Sequence, residues 1–362
     1  MIDLFKSLNI VLREDRKKFF FASLTLIFVT LIEVFGLGLI SFLIINISDL
    51  PKAIDNSSFL NIIFSFFSLP SENSLIILSI FIVLYSIFSV ILSSIALNKL
   101  SIFAQVLGGR IKSRIADYFL NLEWIKIVSS KSSKNISRII NDGEEVSYVI
   151  NFSMLLFSRL ALTAVIISFL FVFNPLVTLF LVLMLSFSYL IIFFLFRSKY
   201  LINGIKTSQG LDKSLNMMTN MFGSMKEIIF FGSQKKVLSN LEKNYMDLAR
   251  VKGNNTALSQ MPRFFIDSII LIILVVGVAL ASNTEGDLTY FFTTVSIYGI
   301  AALKLLPAFQ NIFYFSSEIT QRKPHISNVT ELLAKNDRFE NIETEEVTFS
   351  REILFNNVFY SW

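Results

Sequence analysis

Residues 74–98 read SLIILSIFIVLYSIFSVILSSIALN, a stretch of 25 residues without one charged side chain. A helix of about 20 apolar residues is long enough to cross the hydrocarbon core of a bilayer. Other parts of the chain have the same character. Together they predict six membrane spans, at residues 19–47, 74–98, 148–173, 176–196, 264–282 and 288–306.

The basic residues lie almost entirely in alternate segments between these spans. All but two of the 32 Lys and Arg residues fall in segments 1–18, 99–147, 197–263 and 304–362. The segment 48–73, on the other side of the first span, holds one of the two exceptions. Segments rich in Lys and Arg remain on the cytoplasmic side. The sequence thus predicts an all-α polytopic protein of the cytoplasmic membrane, with both termini in the cytoplasm.

The composition limits the classes of function. Hydrophobic residues make up 54% of the chain and charged residues 16%, which is too apolar for an ordinary soluble domain. The net charge of +5 reflects the basic segments, so nucleic acid is not an expected partner. The absence of cysteine excludes disulfides, thiolate metal sites and cysteine nucleophiles. The single histidine, His325, cannot form a histidine metal cluster, and neither a metal site nor a catalytic residue is predicted.

The segments that follow the second and fourth spans keep a helical pattern. Apolar residues recur at i, i+3, i+4 and i+7 through residues 100–122, and again through residues 201–222 and 237–251. The spans are therefore predicted to extend into the cytoplasm as two helical hairpins that project roughly 30–45 Å. Polar residues predict turns at the two tips, near residues 129–134 and 226–236.

Four parts are predicted along the chain. Residues 1–18 are expected to form an amphipathic helix at the membrane interface. Residues 19–334 form the six-helix transmembrane domain, and residues 335–347 form an acidic linker. Residues 348–362 alternate in the manner of a β-strand, which we interpret as the beginning of a further, α/β domain.

This arrangement resembles the exporter class of ABC transporters. In that family the first strand of the nucleotide-binding domain contains an aliphatic residue followed, a few residues later, by Asn-Val-x-Phe-x-Tyr. Residues 357–362, NVFYSW, fit that spacing. The resemblance implies that Trp362 takes the place of the aromatic residue that stacks on adenine, with Trp for Tyr as a conservative change. It also implies that the tips around Lys131 and Lys235 are short coupling helices, which dock on nucleotide-binding domains.

A closer resemblance, over most of residues 1–334, is to bacterial flippases for lipid-linked oligosaccharides, the type used in protein N-glycosylation. It is carried by residues 32–42, 261–264 and 294–308. Members are homodimers that turn over an undecaprenyl-pyrophosphate-linked glycan with ATP, and basic residues of their cavity face the pyrophosphate. Arg263 and Lys304 fall within the matching segments. Span two has no matching arginine.

The first external segment is a further point of this resemblance, because most exporters of the class have a shorter one. It contains the apolar run FLNIIFSFFSL at residues 59–69, which is too short to cross a bilayer. We interpret the run as an external helix on the membrane surface. Its residues Phe64, Phe66 and Phe67 are expected to contact the lipid tail of the substrate or the outer leaflet.

Charged side chains within membrane spans are rare and are usually functional or paired. Lys304 lies about 21 Å into its helix, where it either serves a cavity or extends back to the interface. Arg263 lies at the cytoplasmic entrance of the fifth span, where extension to the interface is the simpler interpretation, and Asp267 lies one turn away as a neutralising partner. Glu33 and Arg159 lie in mid-span, where they either line the cavity or, as we expect, form a structural ion pair.

The chain contains no Gly-x-x-x-x-Gly-Lys-Ser/Thr phosphate loop, so alone it is not expected to hydrolyse ATP. ATP and Mg²⁺ are expected only with a complete nucleotide-binding domain, in a longer chain that is truncated here or on another polypeptide. The complete protein would be an ATP-hydrolysing translocase that flips a lipid-linked oligosaccharide or a related lipid. Two alternatives stay open: an ABC exporter of peptide, lipid or drug, and a non-transporting membrane assembly protein or degenerate remnant.

Overall fold

The computed structural model describes most of the chain between Arg16 and Asn336. The described residues are 7, 10–13, 15–45, 74–282, 288–336, 356, 358 and 359. Within these ranges, the side chains of residues 74, 173, 180, 181, 193, 263, 265–297, 335 and 336 lie outside the description. Every regular element in the described part of the chain is helical, which confirms the predicted all-α class for the transmembrane part.

The helices follow one another with short connections. They are α1 (Arg16–Ile45), α2 (Ser74–Leu120), α3 (Trp124–Ser129), α4 (Ser132–Ser137), α5 (Gly143–Phe173), α6 (Pro175–Gly223), α7 (Met225–Phe230), α8 (Gln234–Ser282), α9 (Leu288–Gln321) and α10 (Lys323–Asn336). A π-helical turn, Arg138–Asp142, joins α4 to α5 without a break in the helix. The core of the arrangement is α5, which packs on α1, α2 and α9.

Four helical segments are long and apolar enough to cross a membrane, namely Arg16–Ile45, Leu75–Leu120, Ser132–Val172 and Pro175–Gly223. They overlap nearly all of the first four predicted spans, as a multi-pass membrane protein requires. The fifth and sixth predicted spans lie on α8 and α9, but most of their side chains lie outside the described residues. Six crossings therefore stay a prediction.

The predicted helical hairpins are confirmed. Helix α2 continues unbroken for 47 residues, about 70 Å, which is more than twice the thickness of a hydrocarbon core. We call the parts beyond the predicted spans the legs: residues 99–120, 132–147, 197–223 and 234–263. The apolar stripe predicted on the first leg is buried against the returning leg and α10. Its fully buried members are Leu100, Ala104, Leu107, Ile111 and Ile115.

Short helices lie at both tips, near the predicted positions. Residues 129–134 cover the turn between α3 and α4, where Lys131 is the exposed N-cap residue. Residues 226–236 cover most of α7 and the first turn of α8, where Lys235 is exposed. Gly232 has a φ of 63°, the left-handed conformation that favours glycine, and it closes the turn after α7.

The opposite end has the minimal turn that the sequence predicted. Helix α5 ends at Phe173, and Pro175 begins α6 at the position where its missing N–H costs nothing. Between them, the Asn174 side chain accepts a hydrogen bond from the Val177 N–H at 3.3 Å, which caps α6. A one-residue connection forces α5 and α6 to run antiparallel.

The segment before α1 is tied to the first leg. Val11 and Leu12 are buried in the main core, and Arg110 Nη1 donates to Asp15 Oδ1 at 2.7 Å. Burial alone raises the pKa of the Asp15 carboxyl, but hydrogen bonds from Arg110 and Lys18 outweigh it and hold that pKa below its ordinary value. The interfacial position of residues 1–18 stays a prediction.

Several predicted features lie outside the described residues. They are the external helix with Phe64, Phe66 and Phe67, the linker at residues 335–347 apart from the end of α10, and Trp362. Residues 356, 358 and 359 are exposed and have no regular secondary structure, so no strand is seen at these positions of the segment 348–362. The start of a nucleotide-binding domain stays a prediction.

Candidate functional site: a charged cavity between the apolar helices

Three of the four predicted cavity residues lie together. Glu33 of α1, Arg159 of α5 and Lys304 of α9 all line one cavity of about 370 Å³, which is closed on its remaining side by α2. The three residues are far apart in sequence, and each is on a different helix. The fourth, Arg263, has a side chain outside the described residues, so its position toward this cavity stays a prediction.

The three charges lie at one level of the bundle. Glu33 precedes the end of α1 by 12 residues, Arg159 precedes the end of α5 by 14, and Lys304 follows the start of α9 by 16. At 1.5 Å per residue these distances are about 18–24 Å. The first part of α9 and the end of α5 lie on one side, because Tyr298 OH, ten residues into α9, donates to Asn174 O at 3.0 Å. The end of α1 lies on the same side, because Thr30 meets Ser158 and the residues that follow each of them pack together. A layer this deep lies inside a hydrocarbon core about 30 Å thick.

The ion pair in this layer differs from the one we expected. Lys304 Nζ donates to Glu33 Oε1, so Glu33 pairs with α9 and not with Arg159. A lysine that reaches across the bundle to a carboxylate is not extending along its helix to the interface. Leaving either charge alone inside the membrane would cost several kcal/mol, and the pair removes that cost.

Arg159 gives the cavity an excess of positive charge. Among the acidic side chains that the structure describes, none lies at salt-bridge distance from its guanidinium. With Glu33 offset by Lys304, the three groups sum to one positive charge. An uncompensated guanidinium inside a membrane needs water or an anion, and its fork of N–H groups can donate to two oxygens of one carboxylate or phosphate.

Hydroxyl groups and aliphatic side chains line the rest of the cavity, and the sequence analysis missed the hydroxyls. Thr30 Oγ1 and Ser158 Oγ are 2.9 Å apart, which joins α1 to α5. The available signal was the helical spacing of serines in the second span, which the sequence analysis did not use. The serines of α2 that line the cavity are Ser86, Ser89, Ser93 and Ser94.

Close packing fixes the wall between α1 and α2. Tyr85 OH donates to Ile32 O at 2.6 Å, which anchors the ring against α1. Gly36 makes room for that ring, because a Cβ atom at this position would lie 3.1 Å from the nearest ring carbon. Small residues that let helices approach closely are typical of contacts between membrane helices.

The tips carry exposed apolar side chains beside the polar residues that the sequence predicted. Trp124, Ile125 and Val128 of α3 are between 64% and 76% exposed. At the second tip, Phe230 and Phe231 are 81% and 73% exposed. The sequence analysis ended the apolar stripe at residue 122 and assigned no role to residues 123–128. Two exposed apolar tips at the same end of the molecule form a candidate docking surface.

A buried polar junction joins the first hairpin to α10. His325 Nδ1 lies 2.6 Å from Asp142 Oδ1, and Asn328 Nδ2 donates to Asp142 Oδ2 at 3.0 Å. Beside it, Arg322 Nε lies 2.7 Å from Glu145 Oε2, and the guanidinium packs over the Phe152 ring. The sequence analysis used His325 only to exclude a histidine cluster. Among the described residues, no group of His, Asp and Glu side chains is arranged to hold a metal ion.

No protein-family model matches the chain. The structure supports an all-helical protein with four candidate membrane-spanning helices, which is the composition of a multi-pass membrane protein. The likeness to ABC exporters rests on the short sequence segments described above.

Proposed function

We propose that the chain is the transmembrane (permease) part of an ATP-driven ABC exporter that flips a lipid-linked oligosaccharide or a related lipid across the cytoplasmic membrane. The observation that carries the proposal is the cavity of Glu33, Arg159 and Lys304, a positively charged and hydroxyl-lined space inside a bundle of apolar helices. A bundle with only a structural role has no use for an uncompensated arginine at this depth.

The cavity chemistry suits a headgroup that contains phosphate and sugar. Arg159 can donate two hydrogen bonds to phosphate oxygens, and Lys304 can turn from Glu33 toward a stronger anion. The hydroxyls of Thr30, Ser89 and Ser93 can exchange hydrogen bonds with sugar hydroxyls. Holding Arg159 unpaired inside the membrane costs free energy. A bound anion removes that cost, and its pairing with Arg159 therefore contributes to its affinity for the cavity.

Energy for transport is supplied in this proposal by nucleotide-binding domains, in cis or in trans, that bind ATP and Mg²⁺. The exposed tips α3 and α7, with Trp124 and Phe230, are the surfaces that would dock on them. In the homodimer that the family resemblance implies, two such cavities would face a common path and concentrate positive charge around one headgroup. The charged groups and serines among the lining residues favour an anionic, hydroxyl-rich headgroup over an apolar drug.

Binding to the chain in lipid nanodiscs tests the proposal without any ATPase. We expect undecaprenyl-pyrophosphate-linked glycan to bind at least about tenfold more tightly than undecaprenol, since each charge-assisted hydrogen bond contributes about 1.5–3 kcal/mol. Arg159→Gln should remove most of that preference, and Arg159→Lys should retain part of it. Arg250→Gln, which removes an 80% exposed arginine on a leg, is the matched control and should leave affinity unchanged.

Transport itself is measured with the complete transporter in vesicles. Lys304→Gln should slow flipping of the pyrophosphate-linked lipid, and Lys304→Arg should retain part of the rate. If Arg159→Gln and Lys304→Gln both bind and flip the lipid as the unmodified protein does, the cavity is not the headgroup site. The non-transporting alternative would then be preferred.

A further inference from the structure

A second cavity lies on the neighbouring face of α1 and is almost entirely apolar. It has a volume of about 380 Å³ and lies between α1, α5 and α9. Leu37 lines both this groove and the charged cavity, so the two spaces share one wall. The other residues of the apolar groove used below are Leu31, Val34, Phe35, Gly38, Val165 and Phe169.

The apolar groove lies on one side of the charged layer. On α5, Val165 and Phe169 come six and ten residues after Arg159, toward the end at Phe173. On α9, Ile300 lies one turn before Lys304, which is the same direction. Along α1 the groove covers ten residue steps from Leu31, about 15 Å, which is half the thickness of a hydrocarbon core of about 30 Å.

We propose that this groove binds the hydrocarbon chain of the lipid whose anionic headgroup lies in the charged cavity. The inference rests on the proposed function and adds a separate site to it. In the predicted topology the end of α1 at Ile45 faces outward. A lipid with its headgroup beside Arg159 and its chain in the groove then has the orientation of a lipid in the inner leaflet. The chain therefore need not turn over before the headgroup is bound.

The shape of the groove fits a single chain. Helices α1, α5 and α9 pack on one another, which leaves no space for a further helix between them. Leu31, Phe35 and Phe169 are 41–43% exposed, so the groove is open to the lipid phase along one side. A chain can enter sideways while its headgroup stays in the polar space. Because the alternative to the groove is the bilayer, the chain gains packing contacts in the groove and no removal from water.

Gly38 offers a direct way to fill the groove. A Cβ atom at this position meets nothing within 4 Å, so Gly38→Phe places a ring in the groove without displacing backbone. Gly299 of α9 is the matched control, because a Cβ atom there also meets nothing within 4 Å and the residue does not line the groove. Gly299→Phe adds the same bulk at nearly the same depth.

The probe is farnesyl pyrophosphate with a diazirine on its terminal isoprene unit, used with the chain in nanodiscs. Farnesol with the same diazirine is the uncharged comparison. We expect the pyrophosphate probe to label residues 31–41 and 165–169 more strongly than the alcohol does. Gly38→Phe should lower this labelling about tenfold, because the ring occupies the space of the chain, and Gly299→Phe should not. Binding of inorganic pyrophosphate should be unchanged in Gly38→Phe and weakened in Arg159→Gln.

Two failures are distinguishable. If both probes label the groove equally and Gly38→Phe changes nothing, the groove holds any bilayer lipid and the inference is overturned, whatever the charged cavity binds. If inorganic pyrophosphate binds Arg159→Gln as well as it binds the unmodified chain, the proposed headgroup site itself is wrong.

Discussion

The legs and the membrane-spanning parts of these helices expose opposite kinds of residue. Both parts bury aliphatic side chains together with hydroxyls, as Ile115 and Ser137 show in the legs and Leu162 and Thr30 in the spans. The exposed side chains of the legs include many charged ones, such as Lys213, Lys243 and Arg250. The residues turned outward from the spans are large and apolar, among them Phe20, Phe28, Phe88, Phe187 and Phe194.

The difference follows from the solvent that each part of a helix meets. Water drives aliphatic side chains of the legs into a core, whereas lipid is as apolar as leucine and gives no such drive. Within the spans, close packing of small residues and hydrogen bonds between helices hold the bundle together. The interactions that hold one continuous helix such as α2 in place therefore change along its length. Inside the spans, polar residues can lie together and form a cavity.

The largest effect is expected at the polar junction of the legs. Asp142→Ala would leave the buried His325 and the partly buried Asn328 without this hydrogen-bond partner, and leaving such groups unsatisfied costs about 1–3 kcal/mol each. Glu123→Ala, which removes a surface pair with Lys126, should cost less than about 1 kcal/mol. Thermal unfolding in one detergent compares the two. Equal melting temperatures would mean that the junction contributes nothing to folding.

A smaller effect tests the comparison at aliphatic positions. Ile115 in the leg is 0% exposed and Ile80 in the span is 55% exposed, on the same helix. Ile115→Ala should lower the free energy of unfolding by about 2–5 kcal/mol through lost burial and a cavity. Ile80→Ala, facing lipid, should lower it by less than about 1 kcal/mol. If Ile115→Ala and Ile80→Ala lowered the free energy of unfolding equally, the leg and the span would not differ in the solvent that they meet.

Close packing of the legs gives the next effect. A Cβ atom at Gly204 of α6 would lie 2.1 Å from Gln321 O, which is a backbone atom and cannot swing aside. Gly204→Ala should therefore destabilise the protein by about 1–3 kcal/mol. Gly253→Ala on α8 meets nothing within 4 Å and should be neutral or stabilising by up to about 1 kcal/mol. If Gly204→Ala left the stability unchanged, α6 and α9 would lie farther apart at their crossing than described.

The smallest effect is expected where the segment before α1 meets the first leg. Because the pKa of Asp15 is lowered in the folded state, its contact with Arg110 stabilises the protein above the unfolded pKa of about 3.9. That stability is lost as the pH falls through the lower, folded value. Arg110 is 53% exposed, so Asp15→Asn should cost less than about 1 kcal/mol at neutral pH. If the unmodified protein stayed more stable than Asp15→Asn below the folded pKa of Asp15, the ion pair would not be the cause.

The sequence predicted what is local and periodic. The stripe through Leu107 and Ile111 identified a leg, and Asn174 with Pro175 identified a turn, because each pattern lies within a few residues. The partner of Glu33 could not be predicted, since Lys304 lies 271 residues away and the pairing depends on how α9 crosses α1. The role of Ser89 was missed for the same reason. A serine in a span indicates an inward face only once the neighbouring helices are known.

The central claim is that a polar, anion-binding cavity and a lipid-facing surface lie at the same depth on different sides of α2. The chain has no cysteine, so single cysteines report cleanly. Ser86 lines the charged cavity, and the next residue, Ile87, is 53% exposed on the lipid side. In nanodiscs, Ser86→Cys should react with a water-soluble thiol reagent and be protected by undecaprenyl-pyrophosphate-linked glycan, while Ile87→Cys should stay unreactive. Equal reactivity of the two cysteines, or no protection of Ser86→Cys, would contradict the account.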